Sequence, residues 1–253
     1  MQKPPIQSQA EIEWRDGQPY ASAFQDIYFS SDNGLLETEY VFLQGNHLLS
    51  RWQPTNFDSL NQNRFTIAET GFGTGLNFLC AAKLWLSVAP IKAALHFIST
   101  EKHPLSLQDM TKALAYWPDL SILSLPFLTQ YQTLLDDTET ISLFDNRIQL
   151  TLLIGDAITH LHEIHTEIDA WFLDGFAPSK NPAMWQPSLF ERMARLSNST
   201  TTFATFTSAG EVRRGLMAAG FEVNKRSGFG KKREMLTGRF LGINNLLEPK
   251  YAT

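Results

Sequence analysis

The sequence predicts an α/β fold: a doubly wound, mostly parallel sheet with an antiparallel C-terminal strand and an N-terminal extension. Three observations point there. From residue 64 onward, short runs rich in β-branched and aromatic residues alternate with stretches of helical periodicity. Several of these runs close on an acidic residue, and a glycine follows at once or soon after, as where a strand turns into a helix. The last two runs, near 221–226 and 234–241, lie too close together for a helix between them. They must pair antiparallel or leave the sheet.

Taken in order, residues 1–20 are polar, with Pro and Gly, and read as a tail holding one strand around Ile12–Trp14. Asp26-Ile-Tyr-Phe-Ser-Ser-Asp-Asn-Gly34 is a turn-rich aromatic segment, and a helix or strand follows near Leu35–Leu43. Arg64–Glu69 is a short strand that runs into a glycine-rich turn; Leu76, Leu79, Cys80, Lys83, Leu84 and Val88 then recur at helical spacing. Leu95–Thr100 is a buried strand ending at Glu101, and Pro104 opens a helix, since Pro suits a first turn. Residues 118–147 are weakly patterned and read as a helix and a loop. Ile148–Ile154 is a strand closed by Gly155-Asp156, and Ile168–Leu173 is the next, closed by Asp174-Gly175. A helix near Ser188–Leu196 leads to a strand at Thr201–Thr207, a helix at 209–219 and the final pair. The expected organisation is an extension, 1–60, packed on a core, 61–241, with 242–253 as a tail or the start of a linker.

Composition narrows the function classes. A chain of 253 residues, 43% hydrophobic and 19% charged, can bury a sizeable core and is neither disordered nor fibrous. No apolar run approaches the roughly 18 residues of a membrane helix, and the first residues lack the apolar centre of a signal peptide. With Cys80 as the single cysteine, a disulfide framework is impossible and a cytoplasmic location is expected. Cys80 itself lies on an apolar helical stripe and reads as packing. The net charge of −5 argues against an all-over basic surface. Its distribution says more: residues 1–204 carry 12 basic and 22 acidic side chains, net −10, whereas residues 205–253 carry 9 and 4, net +5.

In such sheets ligands bind at the carboxyl ends of the strands, where Glu69, Glu101, Asp156 and Asp174 fall. Glu69 opens Thr70-Gly71-Phe72-Gly73-Thr74-Gly75, a turn whose glycines let backbone approach a ligand and whose helix points N–H groups outward. The spacing is not the Gly-x-Gly-x-x-Gly of a dinucleotide site, because Leu76 and Phe78 stand where the third glycine would be. An acid opening the turn suits a ligand that carries an ammonium group. Glu101 is placed to accept both hydroxyls of a ribose, and Asp156 a hydrogen of an adenine amino group. A nucleoside bearing an amino acid is S-adenosylmethionine. At the next strand end, Asp174-Gly175-Phe176-Ala177-Pro178 supplies an acid, a turn, an aromatic and a proline, fit to hold a planar base and orient an amine. Methyl transfer from a sulfonium mainly needs positioning, and Asp174 is the candidate to accept the amine's hydrogens and take its proton. His160, His162 and His165 do not share one helix face, so no metal site is expected. Lys225, Arg226, Lys231, Lys232 and Arg233, with Arg213 and Arg214 on the preceding helix, form a basic region suited to phosphate contact.

Five stretches are similar to a known family: Glu69–Phe78, Trp171–Pro182, Phe206–Gly215, Gly228–Met235 and Asp26–Gly34. Together they resemble the methyltransferase domain of the bacterial bifunctional tRNA 5-methylaminomethyl-2-thiouridine biosynthesis family, over about residues 10–241. The resemblance implies a Rossmann-like class I fold and S-adenosylmethionine-dependent N-methylation of 5-aminomethyl-2-thiouridine at the wobble position, position 34, of tRNA. It implies Glu69, Gly71, Gly73, Thr74, Gly75, Asn77, Glu101, Asp156 and Ala157 around the cofactor, and Asp174, Phe176 and Pro178 facing the substrate, with Tyr28 and Asn33 nearby. The family's commoner form continues into an FAD-dependent oxidase domain that makes the aminomethyl substrate. This chain carries no FAD fingerprint, so neither FAD binding nor oxidase activity is expected of it. It is then a stand-alone methyltransferase, to which the oxidase acts in trans, or a fragment of the longer protein. Two other readings stay open: a methyltransferase for a small amine or a protein, and a non-catalytic scaffold that binds tRNA.

Overall fold

The computed structural model describes residues 9–15, 17–29, 33–57 and 63–242. The expected tail or linker at 242–253 thus falls, apart from Gly242, outside the described residues. Three short strands, β1 (Ile12–Arg15), β2 (Gln18–Ala21) and β3 (Asp26–Ile27), form a small antiparallel sheet. Where one strand was expected in the first twenty residues there are two, because Gly17 takes a left-handed turn (φ 78°) and folds β2 back on β1. Next come α1 (Gly34–Thr38), a π-helical turn (Glu39–Gln44), α2 (Leu48–Arg51) and α3 (Pro54–Phe57). The segment that read as helix or strand is helical.

The main sheet has eight strands: β4 (Arg64–Glu69), β5 (Ala94–Glu101), β6 (Thr140–Leu143), β7 (Ile148–Ile154), β8 (Ile168–Phe172), β9 (Ser197–Thr205), β10 (Phe221–Ser227) and β11 (Glu234–Phe240). Their order is β10-β11-β9-β8-β4-β5-β7-β6, with the central five parallel. β11 is antiparallel to both neighbours, as the short connection from β10 requires. The other edge corrects an expectation. Residues 118–147 hold α6 (Ser121–Asp136) and also the strand β6, antiparallel to β7. At four residues, Thr-Ile-Ser-Leu alternates too briefly to register as a strand; pairing with β7 through the 144–146 turn is what defines it.

Alternation along the central strands divides the core. Ile67, Phe97, Leu150, Ala170 and Phe172 face one side, where residues 41–57 join α4 (Leu76–Val88), α5 (Leu107–Leu114) and α6. Ala68, Ile98, Leu153, Trp171, Leu173 and Phe203 face the other, under α7 (Ala157–Leu161), α8 (Pro187–Arg195) and α9 (Gly210–Ala218). Trp52, Phe57, Phe65 and Trp85 pack edge to face. Cys80 is buried on this first side, and burial pushes its thiol up to about 12, so it is inert at neutral pH. No helix among the described residues is long and apolar enough to cross a membrane.

One polar staple ties the N-terminal helices to the sheet. Arg51 donates from its guanidinium to the Asp169 carbonyl (3.1 Å), the Thr202 hydroxyl (2.8 Å) and the Thr200 carbonyl (3.3 Å), and it lies over the Phe65 ring. The Asp169 carboxylate accepts the Thr66 N–H at 2.7 Å. Arg51→Met should therefore keep the packing but strand these acceptors. It is expected to lower stability by about 2–3 kcal/mol, read as a lower urea midpoint with an unchanged slope.

Candidate active site

The parallel strands β4, β8, β5 and β7 end on one edge of the sheet, and above that edge lies a cavity of about 720 Å³. Its floor is the turn after β4. Gly73 and Gly75 both hold left-handed φ values, 53° and 70°, and Gly75 caps α4. Gly71 is small for another reason: a Cβ there would stand 3.2 Å from the Asp174 carbonyl and the Gly175 Cα. The β4 and β8 turns therefore touch backbone to backbone, joined further by the Thr70 hydroxyl donating to the Asp174 carbonyl at 2.6 Å.

Most of the expected site residues line this cavity. Glu101, at the end of β5, accepts the Gly73 N–H on Oε2 and the His103 N–H on Oε1, each at 2.9 Å, and burial raises its pKa. Asp156, at the end of β7, uses Oδ1 to cap α7 through the Ile158 and Thr159 N–H groups, 3.1 and 3.2 Å. Gly71, Gly73, Thr74 and Asn77 lie on the β4 side of the wall, Ala157 beside Asp156, and Tyr28 across from Gly73. Burial also raises the Tyr28 phenol, which stays protonated. Glu69, Gly75, Asn33 and Pro178 are not on the wall. Glu69 is 1% exposed and sits a layer beneath, where Oε1 accepts from Asn77 Nδ2 (2.8 Å) and Oε2 from Ser99 Oγ (2.7 Å). Burial, then the nearby Asp174 carboxylate, pushes it up to about 8. Glu69 ends its strand where the sequence places it, but its side chain points below the wall and not into the cavity.

Asp174 does reach the cavity, half-buried. Oδ1 accepts the Gly175 N–H at 2.8 Å and Oδ2 accepts Asn77 Nδ2–H at 2.6 Å. Burial moves its pKa up to about 6 against these two hydrogen bonds and the Lys232 ammonium; Glu37 adds to the rise. Beside it the Phe176 ring stacks on Phe24 (centroids 4.3 Å, planes 18° apart), with Tyr28 edge-on at 5.5 Å. The Phe176–Trp185 loop is tied by Trp185 Nε1–H donating to the Phe176 carbonyl.

The basic residues separate. Lys232 is at the cavity, its Nζ 2.7 Å from Glu37 Oε1 and 4.5 Å above the Phe206 ring. Arg213, Arg214, Lys231 and Arg233 are exposed away from it. Lys225 pairs with Glu234 at 2.8 Å, and Arg233 and Arg213 help hold that carboxyl below its usual range, so α9 and the β10–β11 hairpin bring three cations around one carboxylate. Arg226 lies over the Tyr40 ring at 4.8 Å. Phe24, Glu37, Thr38 and Phe206 also line the cavity and were not found from the sequence. Phe24 lies just before the aromatic segment Asp26–Gly34, and nothing local marks it as the ring that meets Phe176. Among the described residues no group of three or more His, Cys, Asp or Glu side chains is placed to hold a metal.

The donor set fits S-adenosylmethionine: Glu101 and Asp156 line the cavity with carboxylates able to accept from hydroxyl and amino groups, and the acidic wall suits a cation. The model of a family described as S-adenosyl-L-methionine-dependent methyltransferase matches residues 119–240. The chain is 54% identical over 240 residues to the tRNA 5-methylaminomethyl-2-thiouridine biosynthesis bifunctional protein MnmC of Methylobacillus flagellatus, covering 95% of this chain and 36% of that protein. To MnmC of Chromobacterium violaceum it is 52% identical over 232 residues, covering 91% and 34%. It therefore spans about a third of the length of these relatives. The crystal structure of MNMC2 from Aquifex aeolicus superposes with a TM-score of 0.70 at 23% identity, over 94% of this chain and 72% of that one, which shows the shared fold. The chain is thus similar to S-adenosylmethionine-dependent methyltransferases over residues 119–240, and over nine-tenths of its length it is a homologue of the methyltransferase part of these MnmC proteins.

Proposed function

We propose that this chain methylates the amine of 5-aminomethyl-2-thiouridine at the tRNA wobble position, giving the 5-methylaminomethyl product. The observation that carries the reading is Asp174. A carboxylate with pKa about 6, half-buried and next to a pair of stacked aromatic rings, is ionised at neutral pH and stands where an aromatic base would bring an amine. The names of the relatives support the same substrate.

Bound S-adenosylmethionine supplies an electrophilic methyl group on a sulfonium. Glu101 and Asp156 would hold its ribose hydroxyls and adenine amino group, and the Gly71–Gly75 turn would run beneath it. Asp174 has one hydrogen bond already on each oxygen, which leaves a lone pair on each. Those lone pairs would accept N–H hydrogens of the neutral amine, aim its nitrogen at the methyl and receive the proton it gives up as the N–C bond replaces the S–CH3 bond and the sulfonium leaves as a thioether. Phe176 supplies a face for the base. Arg213, Arg214, Lys225, Arg226, Lys231 and Arg233 supply the sequence-independent grip on the tRNA backbone. Lys232, held by Glu37 at the cavity, acts there instead. An FAD-dependent oxidase, fused or in trans, prepares the aminomethyl group, and the reaction is cytoplasmic.

Incubation of the chain and S-adenosylmethionine with tRNA carrying the aminomethyl group is expected to yield the methylaminomethyl nucleoside, read by nucleoside mass spectrometry. tRNA lacking that group should yield none; product from it would refute the reading. Asp174→Asn should retain cofactor binding by calorimetry and lose at least about 100-fold in rate, and the parent rate should rise with pH through about 6 as Asp174 ionises. Charge reversal of Lys231 and Arg233 together should weaken tRNA binding and flatten its salt dependence. Binding unchanged in either respect would point to a small amine or protein as substrate.

A further inference from the structure

Helix α1 brings Thr38 to the site, and the buried polar chain beneath Asp174 begins there. Thr38 Oγ1 donates to Asn77 Oδ1 at 2.8 Å, in an environment where Thr38 is 4% and Asn77 7% exposed. The Asn77 amide nitrogen spends both hydrogens on carboxylates: 2.6 Å to Asp174 Oδ2 and 2.8 Å to Glu69 Oε1. Its carbonyl oxygen is the end that needs a donor, and Thr38 is that donor. We propose that Thr38 is a positioning residue for Asp174, acting through Asn77. The inference rests on the reading of Asp174 as the group that receives the amine's proton.

The physical reasoning is that of a short hydrogen-bond chain in a low-dielectric setting. A hydroxyl on Oδ1 fixes the amide's rotation and polarises its N–H bonds toward the carboxylates. Without it, Oδ1 is left buried and unpaired, and the side chain gains freedom to turn away. Asp174 then loses a hydrogen bond that favours its charged form, and its orientation rests on the Gly175 N–H alone. Both effects act on turnover; neither touches the Glu101 and Asp156 end of the cavity. Among the described residues, the charged and titratable groups that act on Asp174 or line its cavity are Glu69 from β4, Glu101 from β5 with Lys102 and His103 after it, Glu37 from α1, Glu11, Asp26 and Tyr28 from the N-terminal segment, Asp156 before α7 and Lys232 from the β10–β11 loop. Changing Thr38 leaves all of them in place, so a shift in the pH profile reports on the Thr38–Asn77 chain.

The test is Thr38→Val, a substitution of similar shape, with Thr38→Ser as the conservative partner. Thr38→Val is expected to lower kcat by about 5–10-fold, the loss of one buried hydrogen bond, and to move the pH midpoint of kcat upward. KM for S-adenosylmethionine should stay near the parent value, and Thr38→Ser should recover both kcat and midpoint. A Val variant with parental kcat and midpoint overturns the inference. So does one whose kcat falls while the midpoint stays and Ser fails to rescue, because that is a packing defect. Asp174→Asn measured alongside separates the two layers. If it keeps parental turnover, the reading of Asp174 itself fails; if it abolishes turnover while Thr38→Val behaves as parent, only the positioning role of Thr38 fails.

Discussion

The carboxylates of Glu69 and Asp174 end adjacent parallel strands and point at one amide nitrogen, that of Asn77. Two acids brought this close would repel if both were ionised, and each is desolvated as well. The structure resolves the conflict by burial depth. Glu69, beneath the wall, is pushed to about 8 and holds its proton at neutral pH, whereas Asp174, nearer the cavity and Lys232, is pushed only to about 6 and gives its proton up. Pairs of titratable groups driven apart by their surroundings divide the roles between them: one is structural and neutral, the other charged and available.

Around this pair the fold is organised to let two turns meet. Gly71 allows the β4 turn to touch the Asp174–Gly175 backbone, which no larger residue would permit without displacing it. The parallel centre of the sheet carries Glu101 and Asp156 to the same edge. Elements far apart in the chain then close the cavity. From the N-terminal side come Phe24, Tyr28, Glu37 and Thr38; from the C-terminal hairpin comes Lys232, whose ion pair with Glu37 spans 195 positions. The two flanks are joined again by Tyr40, whose hydroxyl donates to the Ser227 carbonyl at 2.9 Å while its ring meets Phe229 and Arg226.

Which parts were legible follows from the range of the interactions involved. Glu101, Asp156 and Asp174 could be found because strand periodicity locates strand ends, and in a parallel sheet every such end lies on one edge. The glycine turn was legible because its conformation is local. Edge strand β6 was not, since four residues acquire their identity from hydrogen bonds to β7. The direction of the Glu69 side chain was not, since burial beneath Asn77 depends on how α4 seats against β5. The basic C-terminal region was visible as a group, but the assignment of Lys232 to the cavity depended on Glu37.

By itself, then, the sequence determined the alternating α/β plan, the antiparallel closing pair, the acidic strand ends and the asymmetry of charge. These are written in local periodicity, short spacings and composition. Only the tertiary structure decided which carboxylate faces the cavity, which lysine leaves the basic face, and that Thr38 and Phe24 reach the site at all. The last two of these are set by contacts between residues from 39 to 195 positions apart. Their geometry exists only once the helices have packed and water has been excluded, because burial raises both acids and the hydrogen bonds and Lys232 that gather at Asp174 hold its rise below that of Glu69.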